Sequence, residues 1–249
     1  MASENYVNLY YSDEKIRLTI LTNMCRRLVI LGYLDSEKYK PVAVTGKAST
    51  EKDIRKIVVE QPSVNDKIDN SLFLPFIETR TDNNIYIIPL DNPYKDERAT
   101  KSTGQFEFDG YSVVIKLIPQ TVKDISSSPL LSDFLESYNK YHKIVVIDGM
   151  SPKVYVGINK KKNSEIFTKS HFMIDLMSHF EAPERCDFID SSDIGYIANQ
   201  KNSKIHENDP LCMYYNGKNG MIMRIVRRSH NNSKEIGYRK VIGPNFNFI

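Results

Sequence analysis

The sequence contains no tryptophan and only three cysteines, and these shortages exclude several kinds of protein. Cys25, Cys186 and Cys212 lie far apart and form no Cys-x-x-Cys pair. We therefore expect neither a disulfide framework nor a cysteine-rich metal site, and the odd count favours a reducing compartment. A complete phosphate loop is also missing. Residues 46–50 contain Gly-Lys but lack the upstream glycine, so we interpret them as a polar loop before a helix near 50–59.

Long apolar runs, a targeting segment and a strong charge imbalance are absent as well. Residues 85–88 are typical of the short apolar runs, and the first five residues lack the basic-then-apolar layout of a signal peptide. The 249 residues carry a formal net charge of +3, so any positive surface for nucleic acid must be local. We expect a soluble intracellular protein with no membrane partner, long enough for one large or two modest domains.

No recognisable catalytic constellation is present. The histidines follow no zinc-binding spacing, and no Gly-x-Ser-x-Gly elbow occurs. We interpret all five as structural residues: His142, His171, His179, His206 and His230. The acidic residues between 187 and 193 fit helix capping better than catalysis. The sequence therefore predicts no catalytic residue, no metal and no cofactor.

The N-terminal region contains the clearest helix signal. Apolar residues recur at helical spacing from Ile16 to Leu31, Ser12 or Asp13 provides a cap, and Gly32 can end the helix with positive φ. We interpret the adjacent pair of arginines at 26–27 as a solvated, basic helix end that complements the helix dipole. Residues 35–110 are less regular, with strands predicted at 72–76 and 85–90 and an exposed excursion over 91–110.

Residues 111–183 read as a layered α/β segment. A strand over 111–118 ends at Pro119, Ser128 precedes a helix, and 143–147 forms an apolar strand, which together predict a right-handed βαβ unit. A short strand at 165–168 and a helix near 172–177 follow. Binding in open α/β sheets usually occurs at the carboxyl ends of strands, which here points to residues 148–153.

The segment from Asp209 to Ile242 contains seven basic and two acidic residues. Asp-Pro at its start favours a turn, and Asn-Gly at 216–217 and 219–220 makes positive φ inexpensive. The runs 221–227 and 236–242 predict an antiparallel hairpin, preceded by a short helix at 190–200. Composition alone favours a small sheet with a solvated basic face over a nucleic-acid patch.

Nine residues of this segment resemble the C-terminal signature of the shared fifth subunit of eukaryotic nuclear RNA polymerases, a family that includes an archaeal RNA polymerase counterpart. They are Asp209, Pro210, Tyr214, Lys218, Gly220, Arg227, Ser229, Tyr238 and Arg239. The chain departs from the family at Asn216, where a glycine is usual and Gly217 follows. It departs again at Arg185, where the family has a second histidine.

The resemblance continues more weakly towards the N-terminus, in Gly32-Tyr33 after the first helix, in the Ser151-Pro152 loop and in a Glu-x-Phe strand. It implies an α+β fold with an N-terminal α/β jaw domain over 1–180, of which 35–110 is divergent or inserted. A small mixed α/β assembly domain over 181–249 would follow.

The resemblance also implies a function. The chain would be a non-catalytic subunit of a DNA-dependent RNA polymerase that docks on the largest subunit through the nine signature residues. Its jaw would lie along downstream double-stranded DNA near Ser151, Pro152 and Lys153, with weak contacts to phosphate that read no sequence. The divergent N-terminal half, the enlarged 35–110 region and the Asn, Lys and Ile bias indicate a large DNA virus or a divergent protist. A cellular subunit would work in the nucleus, and a viral one in the host cytoplasm or the virion.

Two alternatives remain open at this point. The first is a free-standing nucleic-acid-binding module that uses the basic hairpin and neighbouring tyrosines for stacking, and it predicts salt-sensitive binding by the isolated domain. The second is a nuclease or transferase with scattered acidic residues, which predicts turnover that depends on a divalent metal.

Overall fold

The computed structural model describes residues 12–40, 68–78, 84–94, 108–178, 182–189, 203–227 and 234–246. In these ranges the chain forms two four-stranded sheets with helices packed against them, so the predicted α+β class is confirmed. No helix in the described part of the chain combines the length and apolarity needed to cross a bilayer. The predicted helices at 50–59 and 190–200 fall outside the described ranges.

Helix α1 spans Asp13–Ile30, as the apolar spacing predicts. Ser12 caps it by accepting a hydrogen bond from the Lys15 backbone N–H, and Asp13 and Glu14 place negative charge at the positive end of the dipole. Gly32 follows the helix with φ of +78°, a conformation that a side chain would disfavour. The apolar face of α1 lies in the main core.

The next described segment corrects one prediction. Residues 72–76 are helical, not a strand: a 3₁₀ turn over Asn70–Phe73 continues directly into helix α2, Leu74–Glu78. Asp69 accepts a hydrogen bond from the Ser71 backbone N–H and so caps the turn. A short apolar run carries no periodicity that separates strand from helix, and here the cap decides in favour of the helix.

The first sheet has the strand order β1-β2-β3-β4. Its strands are β1 (Ile85–Pro89), β2 (Asp109–Val122), β3 (Tyr141–Met150) and β4 (Ser164–Thr168). Strand β1 runs antiparallel to β2, while β2, β3 and β4 are mutually parallel. Helix α3 (Pro129–Ser137) connects β2 to β3, which confirms the predicted β-strand, helix, β-strand order.

Three details in and around this sheet differ from the sequence interpretation. Strand β2 continues through Pro119, because the pairing with β3 shifts register between Ile118 and Thr121, and an irregular position tolerates the missing N–H of proline. Helix α4 (Pro152–Asn159), which connects β3 to β4, was not predicted. The helix predicted near 172–177 is broken into α5 (Ser170–Met173) and a 3₁₀ turn over Leu176–Ser178.

The second sheet has the strand order β5-β7-β8-β6. Its strands are β5 (Arg185–Phe188), β6 (Ser203–His206), β7 (Ile222–Arg227) and β8 (Glu235–Ile242), and helix α6 (Pro210–Tyr214) lies between β6 and β7. Strands β7 and β8 form the predicted antiparallel hairpin. Strand β6 adds to it in parallel.

The two faces of this sheet differ. We call the side carrying Cys186, Met223, Ile225 and Val241 the inner face, because these buried residues pack with Cys212 of α6 in a small separate core. Side chains alternate between the two sides of a strand, so every second residue lies on the opposite side, which we call the outer face. The outer-face residues are Arg185, Asp187, Lys204, His206, Ile222, Arg224, Val226, Ile236, Tyr238, Lys240 and Ile242. The main core belongs to the first sheet and helices α1, α3 and α4.

The boundary predicted at residue 180 stays a prediction, because residues 179–181 lie outside the described ranges. The described residues form two hydrophobic core clusters, a larger and a smaller one. Two residues of the C-terminal segment cross this division, since Met213 of α6 packs into the main core and Phe246 packs against it.

Candidate functional site

A buried cluster of polar side chains lies where the first sheet meets the C-terminal segment. Glu165 of β4 accepts hydrogen bonds from Arg27 at 2.7 Å and from the His142 Nε2 at 2.9 Å, and a third from the Tyr94 hydroxyl. The Arg27 and Glu165 side chains are 0% and 4% exposed. Tyr94 stacks on His142 with 3.6 Å between ring centroids, which holds both rings in place. We call these four residues the Arg27–Glu165 cluster.

Arg27 extends the cluster to the C-terminal segment. Its Nε donates to the carbonyl oxygen of Tyr214 at 2.7 Å, and its Nη2 lies 3.4 Å from the carbonyl oxygen of Met213. Both carbonyls are at the end of α6, where backbone oxygens lack partners within the helix and the dipole attracts a cation. One guanidinium therefore binds α1, β4 and α6 together.

The solvated helix end predicted for the two arginines is wrong for Arg27, which is fully buried. It is also incomplete for Arg26, whose guanidinium pairs with Asp175 beside α5. The exposed excursion predicted over 91–110 is wrong at Tyr94, which is 3% exposed. In each case the side chain contacts a residue that is distant in sequence and not water. These partners are Glu165 for Arg27 and Tyr94, and Asp175 for Arg26, and no local sequence pattern identifies them.

The electrostatics of the cluster favour the ionised pair. Burial alone would raise the pKa of Glu165, but the charge of Arg27 and the hydrogen bond from His142 outweigh burial and hold that pKa well below its ordinary value. Burial opposes the charge on Arg27 too, and the nearby Glu165 carboxylate nevertheless raises the Arg27 pKa. The pair is therefore ionised throughout the neutral range. The pocket that Glu165 lines in the described part of the chain is small, about 10 Å³.

Three of the signature residues build helix α6. Asp209 caps it by accepting from the Leu211 backbone N–H at 2.9 Å, and Pro210 occupies the first turn, where its missing N–H costs nothing. The predicted turn at Asp-Pro is thus the start of a helix. Tyr214, 5% exposed, ends α6 and supplies the carbonyl that Arg27 binds. Burial raises the pKa of its phenol.

The turn after α6 explains the departure at the family's glycine position. Asn216 adopts φ of +57°, so the left-handed conformation is kept, as expected for asparagine. Gly217 is required for a different reason: a Cβ there would lie 2.5 Å from the Cys212 Sγ and 2.8 Å from the Phe188 ring. Lys218 is half-buried, and its charge contributes to lowering the pKa of Glu165. Gly220 makes the second positive-φ turn, at +96°.

The remaining signature residues lie on the second sheet, but on different faces. Arg227 and Arg239 are on the inner-face side, the first exposed and the second half-buried, and neither forms an ion pair with another described residue. Tyr238 is on the outer face, opposite Arg224. Ser229 lies outside the described ranges. The nine residues therefore do not form one continuous patch; some shape the backbone and others are available for contact.

Ser151, Pro152 and Lys153, the predicted DNA-proximal residues, form the start of α4. The Ser151 hydroxyl accepts from the Val154 backbone N–H and donates to the carbonyl of Lys123 at 2.7 Å. Lys153 is 76% exposed and pairs with Asp124 at 2.5 Å. The hydrogen bond from Lys153 is the main cause of the low pKa of the Asp124 carboxyl, about 2. The lysine is accessible, but its charge is already matched.

Two open clefts accompany these features. One, of about 500 Å³, lies at the carboxyl ends of β2 and β3, as expected for a parallel sheet, and the ion pair of Lys169 with Asp148 lines it. The other, of about 460 Å³, is mainly apolar and lies between α5 and α6, with Phe172 and Tyr214 among its lining residues. Neither cleft is lined by a residue of the Arg27–Glu165 cluster. The described residues contain no group of three or more His, Cys, Asp or Glu side chains placed to hold a metal.

Sequence reasoning did not find the Arg27–Glu165 cluster as a unit. Glu165 was singled out only as part of a Glu-x-Phe strand, and His142 only as a structural histidine. The available signal was a polar residue inside each of two otherwise apolar strands, His142 in β3 and Glu165 in β4. Such a residue needs a buried partner, because burying a polar group without one is costly. The sequence does not identify that partner, because Arg27 is 138 residues from Glu165.

Comparison with known proteins first gives a match for most of the C-terminal sheet. Residues 195–241 match a family model described as "RNA polymerase Rpb5, C-terminal domain". This range contains all nine signature residues and strands β6, β7 and most of β8. The family is one of non-catalytic polymerase subunits.

A second comparison covers most of the chain. The chain is 28% identical over 197 residues to "DNA-directed RNA polymerase subunit 5" of Acanthamoeba polyphaga mimivirus, and the match spans 72% of this chain and 94% of that protein. The chain therefore resembles the fifth subunit of RNA polymerases, and the relative is viral, which is one of the two origins that the sequence indicated. The resemblance is to a non-catalytic subunit, in agreement with the expectation that this chain is not itself an enzyme.

Proposed function

We propose that this protein is a non-catalytic subunit of a multisubunit DNA-dependent RNA polymerase. The observation that carries the proposal is the match along 94% of the viral subunit 5, together with the separate match of residues 195–241 to the C-terminal domain family. Nearly the whole of that relative is matched, so the resemblance does not depend on one shared domain. The other subunits of the polymerase would be the partners of this chain.

Within this function, the C-terminal unit over 181–249 would be the assembly domain that docks on the largest subunit. Arg227 and Arg239 are suited to this contact because no described carboxylate pairs with them, and guanidinium groups bind carboxylates and carbonyls of a partner with defined geometry. Asp209, Pro210 and Gly220 would act indirectly, by shaping the backbone of α6 and the turn before β7.

The N-terminal unit over 1–180 would form the jaw along downstream DNA. Lys153 at the start of α4 is exposed and would approach phosphate, with Ser151 and Pro152 fixing the loop that presents it. Because the Lys153 charge is paired with Asp124, this contact would be weak and independent of base sequence. A protein with this role in a large DNA virus would work in the host cytoplasm or be packaged in the virion.

The direct test is affinity purification of the tagged full chain from its native source, with mass spectrometry of the recovered proteins. We expect stoichiometric recovery of the two large polymerase subunits from wild type. An Arg227→Glu/Arg239→Glu variant that keeps its thermal melting temperature should lose at least tenfold of that recovery. A chain that elutes alone from every preparation would refute the proposal.

A further inference from the structure

Five lysines lie at one edge of the first sheet. Strands β3 and β4 are parallel, so the residues that precede them lie at the same edge. Lys140 comes directly before β3, Lys143 is the third residue of β3, and residues 160–162, all lysines, come shortly before β4. The Lys143 backbone N–H donates to the carbonyl of Asn163 at 2.8 Å, which joins the lysine turn to the start of β3.

The charges of these lysines are not balanced within the described part of the chain. None of the five forms an ion pair with another described residue, whereas Lys153 and Lys169 each pair with a carboxylate. Two described carboxylates that reach solvent lie next to this edge: Asp109, whose backbone pairs with Tyr141, and Glu136 at the end of α3. They do not balance five lysines, and the positive surplus attracts an anion.

Two of the lysines repel each other. Lys143 is 3% exposed, and its ammonium group donates to the carbonyl of Tyr138 at 3.4 Å. Burial, and after it the charge of Lys161, lower the pKa of Lys143 to about 8. A phosphate next to the exposed Lys161 would offset this repulsion, so the arrangement favours a bound anion.

Two tyrosine rings lie among the lysines. Tyr138 and Tyr141 are half-buried, with 6.3 Å between their ring centroids. The Lys140 ammonium lies 5.0 Å from the centroid of the Tyr141 ring. Partly exposed rings beside unpaired cations are the combination with which proteins hold single strands, because bases stack on the rings while phosphates lie against the cations.

We propose that this edge binds single-stranded nucleic acid through its phosphates and through bases stacked on the tyrosines. We call the binding residues the amino-end surface: Tyr138, Lys140, Tyr141 and the lysines at 160–162. This surface is distinct from the contact proposed at residues 151–153, since Tyr141 and Ser151 lie at opposite ends of β3, whose ten residues span about 30 Å. The proposal goes beyond the proposed function and does not rest on it.

An acidic protein surface fits this edge less well. All five cations are lysines, and arginine is the residue that binds carboxylates with defined geometry. A lysine acts as a point charge, which suits phosphates that are contacted without reading of the base sequence. The tyrosine pair adds stacking surface, which carboxylates cannot use and unpaired bases can.

The test is fluorescence anisotropy of the purified full chain with a labelled single strand of about 15 nucleotides, as DNA and as RNA, and with a duplex of the same length. We expect both single strands to bind more tightly than the duplex. Lys161→Glu/Lys162→Glu should weaken single-strand binding about tenfold and lower its salt dependence by about one ion. Tyr141→Leu should weaken it about fivefold or more with the salt dependence unchanged, because a ring is lost and no charge.

The matched control is Lys204→Glu/Lys240→Glu. Both lysines are exposed on the second sheet, and the change in net charge is the same. This variant should bind the single strand like wild type at about 0.15 M salt, where distant charges are screened. If it loses as much affinity as Lys161→Glu/Lys162→Glu, binding follows total charge or the basic hairpin, and the proposal is overturned.

The probes and the variants separate the remaining outcomes. A duplex that binds as tightly as the single strand, or a Tyr141→Leu variant with unchanged affinity, would show attraction to phosphate alone and would overturn the proposal. If wild type binds no probe, the amino-end surface is refuted, while the proposed function, tested by recovery of the large subunits, is unaffected. Replacing Lys161 removes a repulsion and should not lower the melting temperature. If it does, Lys162→Gln, at an exposed side chain, tests the charge instead and should weaken binding.

Discussion

At the scale of single residues, Arg27 connects helix α1 to strand β4 and helix α6. It is a fully buried cation that joins three elements, and its charge is balanced by one carboxylate and by carbonyl oxygens at the end of α6. A buried ion pair contributes little net stability when it is intact, because both ions lose their hydration. Removing one partner is costly, because the other ion remains buried without its counterion.

We therefore expect Arg27→Met to lower the free energy of unfolding by about 3–5 kcal/mol. Arg26→Met is the matched control, since the neighbouring Arg26 pairs with Asp175 where both side chains are partly exposed, and we expect about 1 kcal/mol there. Urea denaturation of the two variants measures the difference. Equal losses for both variants would show that burial of Arg27 has no special weight.

The same cluster predicts a pH dependence. The pKa of Glu165 is lower in the folded protein than its ordinary value of about 4.5 in the unfolded chain, so the unfolded state binds a proton first as the pH falls. Its contribution to stability is therefore complete above about pH 4.5 and is lost progressively below that value. Glu165→Gln should be less stable than wild type at pH 7, and the gap should narrow in denaturation curves towards pH 3. A gap that does not change with pH would contradict this assignment.

At the scale of elements, the turn between α6 and β7 decides how the helix packs on the inner face. Asn216 takes the left-handed conformation, and the following Gly217 brings its backbone against Cys212 and Phe188. A glycine shifted by one position is therefore consistent with the same kind of turn, provided that the residue before it tolerates positive φ.

Gly217→Ala should destabilise the protein by about 1–3 kcal/mol, because the added Cβ would overlap Cys212 and force the small core to shift. Gly237→Ala, on strand β8, is the control, because a Cβ added there would meet nothing within 4 Å. We expect that change to lie within about 0.5 kcal/mol of wild type. Thermal unfolding of both variants measures this contrast, and a neutral Gly217→Ala would show that the turn can relax.

Most elements of the fold could be predicted from the sequence, and those that could not have identifiable reasons. Helix α1, the β2-α3-β3 unit and the β7-β8 hairpin follow from strong periodicity and caps. Helix α4 was missed because its Ser-Pro start resembles a loop and its eight residues span only two turns. The run at 72–76 was assigned to the wrong class because five apolar residues carry no period.

At the scale of the whole molecule, the proposed contact with DNA would be limited by charge pairing. Lys153 is bound by Asp124, so we expect Asp124→Asn to increase affinity for a DNA duplex and to steepen the dependence on salt by about one ion. Fluorescence anisotropy of the full chain over a series of salt concentrations measures this change.

The control for that experiment removes a negative charge elsewhere. Glu37→Gln breaks the exposed pair with Lys40 and changes the net charge by the same amount. If both variants gain affinity equally, the effect is one of total charge and the proposed jaw contact at residues 151–153 is not supported. A gain confined to Asp124→Asn would support it.

The sequence by itself determined the class of fold, the order of the main strands and the resemblance to a polymerase subunit, because periodicity, caps and signature residues are local properties. Only the tertiary structure decided that Arg27 and Glu165 form a buried pair, and that the signature residues divide between two faces of one sheet. The physical reason is distance along the chain. The partners of Arg27 lie more than a hundred residues away from it, and no local pattern specifies which residues will meet.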